Sequence, residues 1–238
     1  VPAQRKDVLL PSVSYIHNNV LWGYTGPSNG TRYNFTLYGT PKVSSSGLGF
    51  YSAIADYRTY FRLMRGYSFA FRLAGGGSFG HDPQRFIVGG TENWINRKFE
   101  NNALPISSPE DFLFLTSGVP LRGFNYNAQI GTRYGLMNAE IRFPFLGYFI
   151  AGPLPILFQS LTGVAFLDVG SAWNKEKNYR ATVRNASGNT VTQDLLVGTG
   201  TGMRVYLLGM LLKIDVAWKF NYQSFSEPQY YFSLGADF

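Results

Sequence analysis

The sequence predicts an all-β fold: an antiparallel transmembrane β-barrel wall of about nine meander strands. Three observations predict it. Apolar and polar residues alternate with period two over runs longer than the ~5–6 residues usual in soluble sheets, and near the ~9–11 of a tilted membrane strand. The apolar faces run to the strand ends, where aromatic residues gather as interfacial girdles do. The chain closes on Phe238, at the end of an amphipathic strand. A soluble lipocalin-like barrel or sandwich is the rival; it would turn the apolar face inward and leave the charges solvated.

The elements follow in order. Leu10–Asn19 is a first, weakly alternating strand, and Leu21–Arg32, rich in Gly, Pro and Asn, reads as a turn region. In Arg32–Lys42, Tyr33, Phe35 and Leu37 oppose Asn34, Thr36 and Tyr38. After a turn at Ser44–Gly47 comes Phe50–Leu63, where Tyr51, Ala53, Ala55, Tyr57 and Phe61 oppose Ser52, Asp56, Arg58 and Arg62. A turn at Arg65-Gly66 leads to Tyr67–Gly77. Residues 78–133 have no sustained period, and a connection that long is functional or disordered.

The strand Tyr134–Phe145 alternates almost without fault. Met137, Ala139, Ile141, Phe143 and Phe145 share one face; Asn138, Glu140 and Arg142 share the other. An apolar link spans 146–160, followed by a strand at Leu161–Trp173 and a polar loop at Asn174–Asp194. Leu195–Tyr206 sets Val197, Thr199, Thr201, Met203 and Val205 against three glycines and Arg204. In Leu211–Tyr222, Leu212, Ile214, Val216, Trp218, Phe220 and Tyr222 oppose Lys213, Asp215, Lys219 and Asn221. Tyr230–Phe238 is the last strand.

Composition narrows the class. Aromatic residues make up 17% and glycines number 27, which in short alternating segments favours sheet over helix. The longest apolar run is broken by Gly152, Pro153 and Pro155, so no membrane helix is expected. With 0 cysteines there are no disulfides or thiolate metal sites. The start, Val1-Pro2-Ala3, shows no initiator Met and no signal peptide, so a mature chain or a C-terminal fragment is expected. The net charge of +7 is assigned to solvated loops rather than to nucleic acid, since no basic helix or basic–aromatic motif stands out. His17 and His81 lie far apart, and no nucleophilic triad, phosphate loop or convincing carboxylate pair is present. Neither an enzyme, a metal site nor a cofactor is expected.

The chemistry concentrates in residues 117–145. Arg122 stands between apolar residues and before a glycine, upstream of a strand with one charged face. The expectation is a loop folding back so that Arg122 meets that face. The alternative is a surface arginine, with Glu140 paired to a basic residue on a neighbouring strand.

Five segments, in order, carry a resemblance. They are Leu121-Arg122-Gly123-Phe124, Asn138–Pro144, Ala165–Gly170, Gly200–Arg204 and Phe232–Phe238. Together they resemble the C-terminal half of the barrel in the BamA/TamA-like outer-membrane superfamily, of the bacterial surface antigen type. The looser likeness upstream extends it over nearly the whole chain. The resemblance implies a bacterial outer-membrane location and a parent barrel of roughly sixteen strands, of which residues 1–238 would be the C-terminal part. It implies that the 78–133 loop folds into the lumen with Leu121, Arg122, Gly123 and Phe124 at its tip. Glu140 and Asp168 would be its acidic partners, and Phe238 the C-terminal barrel signal.

The implied function is assistance in inserting or translocating polypeptides; the alternative is a structural barrel or membrane anchor within an envelope complex. The implied partners are outer-membrane lipid, lipopolysaccharide near the basic 175–184 loop, client polypeptides, and either other envelope proteins or a second copy completing the barrel. Two departures stand out. Trp94–Pro120 lengthens the loop after Val88-Gly89-Gly90, and Asn93–Phe99 offers a second candidate tip.

Overall fold

The structure is a computed structural model. It describes residues 9–23, 25–42, 47–103, 119–145, 161–176, 178–207 and 210–235. Phe238 and the apolar link 146–160 lie outside the described residues.

The described residues form strands β1 (Ser12–Asn18), β2 (Leu21–Gly23), β3 (Gly26–Thr40), β4 (Phe50–Met64), β5 (Tyr67–Gly80), β6 (Phe86–Val88) and β7 (Gln129–Gly131). They continue with β8 (Arg133–Pro144), β9 (Thr162–Trp173), β10 (Thr182–Arg184), β11 (Thr190–Thr192), β12 (Leu196–Leu207), β13 (Met210–Lys219) and β14 (Gln229–Leu234). One 10-stranded sheet runs β1-β3-β4-β5-β8-β9-β12-β13-β14, with β2 beside β3. Every neighbour is antiparallel. The sheet is an open wall of nine meander strands, as the alternation predicts.

Strand lengths fit a membrane wall. β3 and β4 have 15 residues, β5 has 14, and β8, β9 and β12 have 12. The pleat sorts the side chains. In β8, Tyr134, Leu136, Asn138, Glu140 and Arg142 are buried, while Ile141 points out. In β9, Val164, Phe166 and Asp168 are buried and Leu167 is exposed. Charges face inward and apolar side chains outward, the reverse of a soluble barrel.

Some boundaries differ from the sequence reading. The Gly/Pro/Asn-rich stretch read as a turn is strand: Leu21 pairs with Asn29, and Gly30 pairs with Tyr60 across β4. Non-local pairing overrides local turn chemistry there, helped by Gly26 and Gly30 at φ 144° and 107°. The polar 174–194 loop carries a small ribbon, β10 with β11. β5 extends to Gly80, and Phe86–Val88 pairs with Gln129–Gly131, so the long connection is anchored at its foot.

The apolar core lies between this connection and the charged face of the sheet. Phe86, Val88, Val119, Leu121 and Phe124 from the loop pack on Ala74, Tyr134, Leu136 and Ala172 of the wall. A second cluster joins Trp94 to Val164, Phe166, Ala217 and Tyr231. The loop therefore adds apolar filling to the apolar side chains that the strands turn inward beside their charges.

Candidate functional site

The register of three strands prepares one patch. Asn138 opposes Asp168, and Asp168 opposes Gly198; Glu140 opposes Phe166, and Phe166 opposes Gly200. Glu140 and Asp168 are thus diagonal neighbours on the inner face, close enough for one side chain to reach both. Beside them β12 presents Gly198, Gly200 and Gly202, a track without side chains.

The loop tip docks on this patch. Arg122 Nε and Nη2 donate to Asp168 Oδ2 and Oδ1 at 2.8 and 3.0 Å, a bidentate fork. Nη1 donates to Glu140 Oε2 at 2.9 Å, and the Arg122 backbone N–H donates to Asp168 Oδ2 at 3.0 Å. The guanidinium carbon lies 3.4 Å from the centre of the Phe166 ring, so cation–π attraction adds to the ion pairs. Burial works against the guanidinium's charge, but Asp168, Glu140 and Asp215 together hold its pKa well above the ordinary value.

The carboxylates are shared onward. Glu140 Oε1 accepts from Arg142 Nε at 2.7 Å, and Arg142 Nη1 donates to Pro27 O at 2.7 Å. Arg204 Nη1 donates to Asp215 Oδ1 at 2.6 Å, and its Nη2 lies 3.7 Å from Glu140 Oε2. Asp215 Oδ2 lies 4.0 Å from Arg122 Nη1. Arg122, Arg142 and Arg204 thus face Glu140, Asp168 and Asp215, all buried, with the buried Lys213 opposite Arg204 in the ladder. Pairing of opposite charges makes such burial tolerable, and it makes loss of any one member costly.

Shape supports the charges. A Cβ at Gly198 would stand 1.8 Å from Arg122 O, and one at Gly202 would stand 1.9 Å from Asp215 Oδ1. At Gly200 it would meet the Phe166 ring at 2.5 Å. Leu121 sits over Gly170, where a Cβ would lie 2.8 Å from its Cδ1. Gly123, at φ 96°, turns the chain after the arginine. Its N–H donates to Tyr231 Oη at 2.8 Å, and that hydroxyl lies 2.9 Å from Phe124 O, on which it can donate. The tip is therefore held by β8, β9, β12 and β14 together.

The structure brings Arg122, Glu140 and Asp168 together, with Leu121, Gly123 and Phe124 buried around them. The second candidate tip lies elsewhere: Arg97 covers the Tyr126 ring at 4.3 Å. Asp215, Arg204, Arg142 and Tyr231 were not singled out from the sequence. The signal was present in part, since Asp215, Arg204 and Arg142 fall on the polar faces of their strands. His17 stacks on Tyr33, and His81 Nδ1 lies 3.0 Å from Asp82 Oδ1. Among the described residues no group of three or more His, Asp or Glu could hold a metal ion.

Comparison with known proteins places this architecture. The chain is similar in structure to BamA from Haemophilus ducreyi lacking POTRA domains 1–3, with a TM-score of 0.56 and 15% identity. The match covers 94% of this chain and 42% of that one, so the chain spans less than half of that BamA. No protein with a curated description matches it. Residues 18–238 match the Omp85 superfamily domain. That match takes in every strand from β2 to β14, and by it the chain belongs to the Omp85 superfamily, as a bacterial outer-membrane β-barrel protein.

Proposed function

We propose that the chain forms the C-terminal part of an outer-membrane barrel that assists insertion or translocation of polypeptides. The 78–133 loop is its lumen loop, Leu121-Arg122-Gly123-Phe124 the tip, and Glu140 and Asp168 the acidic seat. The barrel acts without covalent chemistry. The loop holds the wall in one arrangement, and client polypeptides use the barrel's shape and its seam. The partners are outer-membrane lipid and lipopolysaccharide, client polypeptides and other envelope proteins.

The observation that carries this reading is the buried, bidentate Arg122–Asp168 pair with Glu140 on the third nitrogen. A guanidinium so enclosed needs a purpose-built seat, because an unpaired buried charge costs ~3–5 kcal/mol. One observation favours a second reading, a structural barrel or anchor without transport. The loop is tied to β14 through Tyr231 as well as to β8 and β9, which suits a static wall.

Reconstitution of the full-length protein into liposomes separates the two. Insertion of an unfolded outer-membrane client above the rate in empty liposomes, lost in Arg122→Ala, is the expected result. No client insertion or translocation by a correctly folded protein would sink the transport reading and leave the anchor.

A further inference from the structure

The outward face of the wall carries one charge. By the pleat, Arg133 of β8 points the same way as Met137 and Ile141, opposite to Tyr134, Glu140 and Arg142. Among the described residues of the nine wall strands, it is the one Arg, Lys, Asp or Glu on that face. It stands at a strand end, as the first residue of β8. That end belongs to the outer leaflet. The connections 81–132, 174–195 and 220–228 leave the sheet there, whereas Arg65-Gly66 joins β4 to β5, and Leu207 pairs with Met210, at the opposite end. Outer-membrane barrels keep short turns on the periplasmic side and longer loops outside, and 145–161 is the exception here.

Aromatic rings build a seat around the arginine. Its guanidinium carbon stands 5.2 Å from the centre of the Phe79 ring, and Phe79 stacks on Tyr51, 5.5 Å between centres. Across the ladder Arg133 opposes Gly77 on one side and Trp173 on the other. The Trp173 ring lies out over Gly135, where a Cβ would be 4.0 Å from its Cη2, and it meets the Tyr179 ring at 5.3 Å. Cation–π contact uses a face of the guanidinium and leaves its N–H edge for an anion. No carboxylate takes that edge. Arg133 forms no ion pair among the described residues, unlike Arg58, Arg72, Arg122, Arg142 and Arg204 on the inner face. Lys175 and Glu176, both exposed, follow Trp173 in the 174–194 loop.

We propose that Arg133, between Phe79 and Trp173, binds a phosphate of outer-leaflet lipopolysaccharide. A charge on a lipid-facing strand is tolerated near the interface, and an anionic headgroup lies at that same depth. A guanidinium offers a phosphate two parallel N–H donors, and the flanking rings suit the apolar faces of the sugar that carries it. The site rests on the reading of lipopolysaccharide as a partner. It gives that partner an address on the wall itself, apart from the basic 175–184 loop.

The test uses the full-length protein, purified in detergent, and lipid A, the phosphorylated anchor of lipopolysaccharide. Native mass spectrometry reads the fraction of protein carrying lipid A across a titration. The affinity is expected to fall about tenfold in Arg133→Gln, with Arg133→Lys between that variant and the parent. Lipid A stripped of its phosphates should bind the parent no better than intact lipid A binds Arg133→Gln. That arm needs no variant, so it keeps the test open should Arg133→Gln misfold. Equal affinity of the parent and a folded Arg133→Gln overturns the site, as does full binding of the stripped lipid. Loss of binding only when Lys175, Arg180 and Arg184 are all changed to Gln would put the contact on the loop; the partner would stand and this inference would fall. Phosphatidylglycerol competing as well as lipid A would make the site one for any anionic lipid and overturn the assignment. A parent protein that binds no lipid A would remove the partner and the site together.

Discussion

Arg122 and Asp168, 46 positions apart in the chain, share three hydrogen bonds: two from the guanidinium and one from the arginine's own backbone N–H. The carboxylate thus reads both the charge of the tip and the position of its backbone. Arg122→Lys keeps the charge but loses the planar fork, and should destabilise the fold measurably less than Arg122→Ala. Arg122→Ala leaves Asp168 and Glu140 facing each other without the shared cation, at a cost of ~3–5 kcal/mol. Thermal unfolding of the detergent-solubilised protein measures both, and a double-mutant cycle with Asp168→Ala isolates the pair. Strict additivity in that cycle would refute the coupling.

Gly198→Ala should unseat the tip without breaking the sheet. The new Cβ meets the Arg122 carbonyl, a backbone atom with no rotamer to escape into. Trypsin cleavage after Lys98 and Arg122 is expected to speed by an order of magnitude or more, while far-ultraviolet circular dichroism keeps its β signal. Gly202→Ala meets Asp215 Oδ1 and the Ile214 carbonyl instead, and should strain the β12–β13 pair rather than the tip itself.

Tyr231→Phe removes one hydroxyl and strands one group. The buried Gly123 N–H loses its acceptor, while Phe124 O keeps its bond from Gly90 N–H. The expected loss is ~1–3 kcal/mol, read as a lower unfolding midpoint, with β14 still in place because its ladder to β13 is untouched.

Leu167→Arg tests which face meets lipid. Leu167 is exposed on β9, on the face opposite Asp168. In a lipid-facing position the arginine costs ~2–4 kcal/mol near the bilayer midplane. On a water-facing surface the same change would fall within about 0.5 kcal/mol. Unfolding from liposomes gives the difference, and a neutral result would restore the soluble barrel.

Alkaline pH should not release the loop. The raised pKa of Arg122 means its contribution is fully present below the ordinary guanidinium pKa and is lost only as pH climbs through the still higher folded one. Tryptic accessibility of the loop is therefore expected to be the same at pH 7 and at pH 10.

The wall was legible in the sequence because period two is a local property. Asn138, Glu140 and Arg142 announce their shared face without any knowledge of neighbours. Arg122, Glu140 and Asp168 were selected as a set only through resemblance, since no spacing brings residue 122 to residue 168. Asp215 and Arg204 stood on recognised polar faces, but which polar residue meets which depends on register across four strands, and register is non-local. The β2–β3 stretch misled because its Gly, Pro and Asn satisfy a turn as well as they satisfy a strand held from both sides.

Gly198, Gly200 and Gly202 have a consequence for anyone recombining such barrels. The glycine track is a mould and the arginine loop its casting, so the two form one unit of exchange although Gly198 and Arg122 lie 76 positions apart in the chain. A chimaera that imports a foreign loop while keeping β12 sets a new casting in an old mould. Compatible parts must travel as a pair, loop with strand.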